Sequence, residues 1–261
     1  MISLQSLKAA AEALNIPMVG ALEAKAMPVP ESALALRIEK GLVSGFEPPV
    51  ELVGSPDKVM PGVRSIIVIG LPYELFPQPA EDPHAVCQVS AMAWGYDYHN
   101  EVKEKLTGLA VWLHSLYGSE TMIFCDTGPL NDRYLAFLAG LGTYGRNQLL
   151  INERWGSAVV FGYLLTDAVI ASTERKDASP HSDCGSCRLC QEACPSGALK
   201  GAYAFDVTRC VSSLTQQKKA LAAEEMGWIG TSLYGCDICQ HVCPKNKKVK
   251  CEGVLKTPSP N

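Results

Sequence analysis

The apolar positions of the chain fall into two periodicities. Residues 3–14, SLQSLKAAAEAL, space leucine and alanine at helical intervals, and Pro17 stops the segment. Residues 64–71, RSIIVIGL, form a short β-branched run bounded by Pro61-Gly62 and Pro72, which predicts a buried strand. The stretch 99–118, HNEVKEKLTGLAVWLHSLYG, reads as an amphipathic helix ended by Gly118. TMIFCDTGP (121–129) reads as a strand running into a turn, NDRYLAFLAGLG as a short helix, and GSAVVFGYLLTD (156–167) as another strand. This alternation predicts an α/β or α+β body near residues 1–170, followed by a polar linker or surface loop over STERKDASPHSD (172–183).

A chain of 261 residues suffices for one large domain or two modest ones. Its formal charge of −4 gives no general attraction to nucleic acid or to an anionic membrane. No segment approaches the apolar length of a membrane span, and the opening MISLQSLKAAAEALNIP lacks the features of an export signal. The expectation is a cytoplasmic protein with no membrane partner. Eleven cysteines change the picture, because only Cys87 and Cys125 precede residue 184. The asymmetry divides the chain into a cysteine-poor body, residues 1–175, and a cysteine-dense module, residues 176–261. The module ends in a basic tail with four lysines between 245 and 250, read as a solvated end, and Cys251 in it is read as a bystander.

DCGSCRLCQEACP (183–195) is a complete C-x2-C-x2-C-x3-C-P run at Cys184, Cys187, Cys190 and Cys194. Three cysteines at these intervals wrap one cubane, and the fourth, turned by proline, reaches a neighbouring cluster. Zinc sites also use C-x2-C pairs but seldom add the third cysteine and the closing C-P. YGCDICQHVCPKN (234–246) repeats the run at Cys236, Cys239 and Cys243, but Leu233 stands in its leading position. Under the crossover rule Cys243 completes the set Cys184, Cys187 and Cys190, and Cys194 joins Cys236 and Cys239 with one place open. Cys210 is the nearby cysteine left to fill it, with a helical insertion such as TQQKKALAAEEMGWI taking up the intervening chain. Eight cysteines then serve two [4Fe–4S] clusters.

A module of this kind needs few residues, so the body must hold something else. Gly140-Leu-Gly142-Thr-Tyr-Gly145 matches G-x-G-x-x-G, yet it follows a helix-like segment and precedes a strand-like one. That context is the reverse of a dinucleotide fingerprint, so the glycines predict a tight loop instead.

Taken together, AWGYDYHNEVKEKL (93–106), FCDTGPLNDRYLAFLAGLGTYGRNQLLI (124–151) and the two cysteine runs resemble, in order, the epoxyqueuosine reductases. The opening LKAAAEALNIPMVGALEA is similar to that family's first helix and strand. The resemblance implies an α+β fold: a cobalamin-binding body related to flavin-reductase-like and cobalamin-processing folds, then a ferredoxin-like two-cluster module. It implies that the clusters reduce bound cobalamin from Co(II) to Co(I), and that an external low-potential electron donor loads them. Asp126 matches the family's general acid, although turn formation alone would explain an aspartate before Gly-Pro. Cofactor contacts are implied for Asp97, Tyr98, His99, Tyr144, Arg146 and Asn147, with Ser212 and Thr215 beside Cys210. Read without the family, Asp97 is a helix cap and Arg146 a surface ion pair; His99 as a lower cobalt ligand is set aside.

The family continues past its second cysteine run into helical repeats that help bind tRNA, whereas this chain ends soon after Cys243. The expectation is therefore a reductase acting on a small molecule or nucleoside, with tRNA a doubtful substrate. The alternative is an electron-transfer protein that reactivates a corrinoid protein and has no small substrate of its own.

Overall fold

A computed structural model describes residues 1–75, 87–174, 181, 184–201, 203–247 and 255. The 172–183 stretch falls mostly outside these residues, and the lysine-rich tail falls largely outside them together with Cys251. Helix α1 (Leu4–Ala13) opens on Ser3, whose hydroxyl accepts a hydrogen bond from the Ser6 amide at 3.1 Å. Strand β1 (Met18–Glu23) follows, then α2 (Pro28–Glu39), the single turn α3 (Pro56–Val59) and β2 (Ser65–Pro72). After β3 (Gln88–Val89) comes the long helix α4 (Tyr98–Tyr117), capped by Asp97 and closed by Gly118 at φ 63°. Strand β4 (Thr121–Phe124), helix α5 (Asp132–Leu138), the hairpin β5 (Thr143–Tyr144)–β6 (Leu150–Ile151) and strand β7 (Val159–Thr166) complete the body.

Four strands form one antiparallel sheet in the order β1-β2-β7-β4. Every position of β2 and of β7 is buried, because both sheet faces are covered. On one face, α1 and α4 pack Leu7, Val102, Leu106 and Leu109 against Ile67, Ile69, Val160 and Leu164. On the other, α5 packs Leu135 and Phe137 against Ile66, Val68, Phe161 and Leu165. Apolar side chains are therefore needed at odd and even positions alike, which is why RSIIVIGL lacks strand alternation. Gly162 lets α4 approach β7, since a Cβ there would collide with Val102.

The glycines at 140, 142 and 145 shape the approach to the β5–β6 hairpin and the hairpin itself, as expected of a tight loop. A Cβ at Gly145 would meet the Asn147 side chain and Ile151 at 2.6 Å. Helix α2 has no counterpart in the sequence reading: prolines crowd its start, and Leu36 and Ile38 lie exposed, so no one-sided apolar stripe marks it.

The cysteine module contributes α6 (Leu189–Glu192), β8 (Leu199–Lys200), β9 (Ala204–Phe205), α7 (Val211–Leu214), α8 (Ala223–Ile229), β10 (Ser232–Tyr234) and α9 (Ile238–His241). The segment after Cys210 is helical only in part. The Gln217 amide donates to the Ser44 carbonyl at 2.8 Å, holding that stretch against the body, and Glu225 starts a new helix by accepting from the Ala222 amide at 2.8 Å. Among the described residues, no helix is long and apolar enough to cross a membrane.

Two sets of contacts seat the second cysteine run on the body. Strand β10 pairs in parallel with β3, and the Ser90 amide donates to the Tyr234 carbonyl at 2.8 Å. Beneath them lies a buried polar network. Asp237 accepts from the Ser90 hydroxyl at 2.8 Å, the Ala91 amide at 2.6 Å and the Gln240 side chain at 3.0 Å. Gln240 also bonds Tyr73 and Ser157, and Asn246 bonds Ser157. Removing one acceptor from such a network leaves buried donors unmade. Asp237→Ala is expected to cost on the order of 3 kcal/mol in chemical denaturation, with the slope against denaturant unchanged.

Candidate functional site

A cavity of about 790 Å³ opens between the body and the cysteine module, a volume within the range of cofactor sites. Its walls come from both parts of the chain. Tyr98, His99, Asp126 and Asn147 line it from the body, and Ser212 lines it from the module. Cys194, Cys210, Cys236 and Cys239 line it as well, whereas Cys184, Cys187, Cys190 and Cys243 do not.

The acidic centre is built by α4 and the turn after β4. Asp97 caps α4 by accepting from the His99 amide at 2.9 Å, and the same carboxylate lies 2.6 Å from His99 Nδ1. The His99 ring holds the Asp97 carboxyl below its ordinary range. His99 stacks on Tyr98 with ring centroids 4.2 Å apart. Both then reach one oxygen of Asp126: the Tyr98 hydroxyl donates to Oδ2, and His99 Nε2 lies 3.2 Å from it. Burial pushes the Tyr98 hydroxyl up, and the charge of Asp126 adds to the effect. Asp126 itself sits in the left-handed region at φ 54°, which aims its carboxyl away from the path of β4. The turn is pinned from below, where the Leu130 amide donates to the Tyr163 hydroxyl at 3.0 Å and Gly128 leaves that hydroxyl room.

Four further residues named from the sequence lie outside the cavity lining. Asp97 orients His99, as above. Tyr144 packs at 5.9 Å from Phe137, and Thr215 accepts from the Gly235 amide at 3.0 Å. Arg146 donates to the Gly185 carbonyl at 2.9 Å and faces a second pocket of about 340 Å³ beside Arg188 and Gln191. Both residues lie in the turn between β5 and β6, where Asn147 lines the large cavity and Arg146 the small one.

Other wall residues carry no sequence signal of their own. Asp132 and Arg133 of α5 line the cavity, and so do Phe46, Glu47 and Pro48 of the loop after α2. Glu47 folds that loop by accepting from the amides of Ser44 and Gly45, each at 2.8 Å. Turn-forming residues in SGFEPP were the available hint.

Whether these residues suit a bound group is answered by their unpaired atoms. Asn147 is buried and lines the cavity, and its Nδ2 has no hydrogen-bond partner among the described residues. A buried amide donor of this kind is costly unless a ligand carbonyl or similar acceptor meets it. The thiols of the two runs lie close enough to act on one another. Burial pushes the Cys190 thiol up, and the charges of Cys243, Cys184 and Cys187 add to it. Burial likewise pushes Cys239 up, with Cys236 and Cys210 adding to it, and Cys194 acts on Cys210. Cys190 also acts on Cys239, so the two sets adjoin. Thiols gathered along one cavity wall, with further cysteines of the first run near them, offer the sulfur donors that iron–sulfur clusters take.

The chain matches two family models. One, described as 4Fe-4S double cluster binding domain, covers residues 183–246. The other, described as Epoxyqueuosine reductase QueG, DUF1730, covers residues 54–127. An epoxyqueuosine reductase of Bacillus subtilis is 35% identical over 91% of this chain and 62% of its own length. That of Synechocystis is 32% identical over 82% of this chain and 75% of its own. A solved epoxyqueuosine reductase, crystallised with an epoxyqueuosine-modified tRNA-Tyr stem loop, superposes with a TM-score of 0.87 at 33% identity. It is covered over 65% of its length by 94% of this chain. The chain thus spans about two thirds of the relatives it matches. A reductive dehalogenase described as B12-dependent shares the fold at a TM-score of 0.57 and 14% identity.

Proposed function

The chain belongs to the epoxyqueuosine reductase family, and from that membership we propose that it is a cobalamin-dependent iron–sulfur reductase. In this reading residues 1–175 form a body of the flavin-reductase and cobalamin-processing type that holds cobalamin. Residues 176–261 hold two [4Fe–4S] clusters, with Cys184, Cys187, Cys190 and Cys243 as one ligand set and Cys194, Cys210, Cys236 and Cys239 as the other. The observation that carries it is that one cavity is walled both by the acid Asp126 and by the second thiol set.

Cobalamin, when bound, supplies a strongly reducing and nucleophilic metal centre, which low-potential clusters are suited to load. The chain's own residues supply the rest. Asn147 and Ser212 offer polar contacts to the cofactor's periphery. Tyr98 and His99 fix the Asp126 carboxyl toward the cavity, and Asp126 gives a proton to the oxygen that leaves the substrate. Walls such as Val159, Phe161 and Leu150 keep water away from the reacting atoms. The substrate named in the relatives points to an epoxide-bearing nucleoside, and the relative solved with a tRNA stem loop supports tRNA as its carrier. An acid held by two side chains at the cavity wall favours an enzyme over a bare electron carrier.

Anaerobic reconstitution with iron, sulfide and cobalamin tests the assignment. After gel filtration the protein is expected to keep both the cluster absorption and a paramagnetic cobalt signal. Loss of all cobalt on the column would end the cobalamin reading. Assays with the modified tRNA and with the free nucleoside then decide which of the two is taken.

A further inference from the structure

Three ligand atoms of different kinds meet at the acidic centre. His99 offers a ring nitrogen, Cys125 its sulfur and Asp126 a carboxylate oxygen, and these atoms all lie within 4.8 Å of one another. Two of them already have the spacing of neighbours on one ion. His99 Nε2 lies 3.2 Å from Asp126 Oδ2, against about 3.3 Å for two ligands of a tetrahedral centre. The ring is set from behind, where the Asp97 carboxylate lies 2.6 Å from His99 Nδ1. A neutral ring keeps its proton on Nδ1 to meet that carboxylate and turns a bare Nε2 toward Asp126, the arrangement by which carboxylates orient metal-binding histidines. Two acceptors that face each other at hydrogen-bond distance need a proton or a cation between them. Cys125 stands beside them, 1% exposed, with its thiol 3.7 Å from the Phe161 carbonyl. Burial pushes that thiol up, and the charge of Asp126 adds to the effect, so it keeps its proton while no metal is bound. It belongs to neither cluster set.

We propose that His99, Cys125 and Asp126 form a site for one zinc ion, and that the ion, when bound, silences the acid by occupying the carboxyl that must carry the proton. Nitrogen, sulfur and oxygen donors together suit zinc, which takes all three and leaves a fourth position to water in open sites. His99 and Asp126 line the cavity, so that fourth position opens into it. Tetrahedral spacing from the sulfur to the other two ligands is about 3.6 Å, so Cys125 closes the site by moving roughly 1 Å. The exchange balances without any electron moving. The zinc displaces the Cys125 thiol proton, and the Asp126 proton where one is held, and these pass to solvent. The site stands on the geometry alone, whereas the silencing rests on the reading of Asp126 as proton donor.

The test uses the chain with both clusters assembled and without cobalamin, so that the cluster thiols are already taken. After anaerobic equilibration with zinc and gel filtration, the protein is expected to keep about one zinc per chain, with its iron content unchanged. X-ray absorption at the zinc edge is expected to show one sulfur at about 2.3 Å and nitrogen or oxygen at about 2.0 to 2.1 Å. Cys125→Ala and His99→Gln are each expected to weaken zinc binding roughly tenfold or more in competition with a chelating dye. The second variant guards the result against a folding defect in the first, since His99 is only half-buried. In the fully loaded enzyme, zinc is expected to inhibit turnover, and Cys125→Ala to lose most of that inhibition relative to its own zinc-free rate. Wild-type protein that keeps no zinc would overturn the site. So would zinc bound by four sulfurs with iron lost, or zinc kept equally by both variants. Zinc held by the expected ligands with turnover undiminished would overturn the silencing. Full turnover in Asp126→Asn would instead remove the acid reading and leave the zinc site standing.

Discussion

Asp126→Asn is expected to lower turnover by about 10²- to 10⁴-fold while leaving cofactor and clusters in place. The amide is isosteric with the carboxyl, so it can keep the contacts to Tyr98 and His99. Asparagine also tolerates the left-handed region that this position occupies at φ 54°, which limits any cost in folding. What the amide cannot do is release a proton to a leaving oxygen. Single-turnover oxidation of the reduced, reconstituted enzyme by its substrate isolates that step from electron loading. Spectra identical to wild type with a collapsed rate are the expected pair of results. An undiminished rate would exclude Asp126 as the donor.

Cys210→Ser is expected to halve iron and acid-labile sulfide, and to remove the cluster whose ligands face the cavity. Cys210 caps the short helix α7, and its carbonyl accepts from the Leu214 amide at 2.8 Å, so the backbone there is held whether or not the thiol remains. The loss therefore reads ligand chemistry and not unfolding. The distal set, Cys184, Cys187, Cys190 and Cys243, should still assemble and reduce. Cobalt reduction from an external donor should then stop while reduction of the remaining cluster persists. Full iron content in this variant would assign the fourth ligand elsewhere.

Much of this arrangement could be read from local chemistry. Asp97 and Gly118 bracket α4 because capping and helix termination are short-range effects, and β2 and β7 declare themselves through unbroken apolar runs. Thiol counting singles out Cys210, and in the structure it lines the cavity beside Cys194, Cys236 and Cys239. Helix α2 was not legible, since its prolines and the exposed Leu36 and Ile38 leave no stripe to detect. The meeting of Asp126 with Tyr98 and His99 joins the turn after β4 to the start of α4, 28 residues away in the case of Tyr98, and no periodicity records it. The side that Arg146 faces is tied to the Gly185 carbonyl, 39 residues away. The bond between Ser90 and Asp237 spans 147 residues, and only the folded chain brings those two polar groups together.

That last bond bears on how the molecule is made and how it fails. The run from Tyr234 to Asn246 is fastened to the body at Ser90, Ala91 and Ser157, and its Cys236 and Cys239 form part of the cavity wall. In the proposed assignment, the wall is completed when metal gathers the four thiols facing the cavity. Iron–sulfur maturation should accordingly precede capture of the corrinoid, and apo-protein given cobalamin first should release it. An oxidant that strips the inner cluster would strike twice, cutting the electron path and loosening the seat of the cofactor in one event.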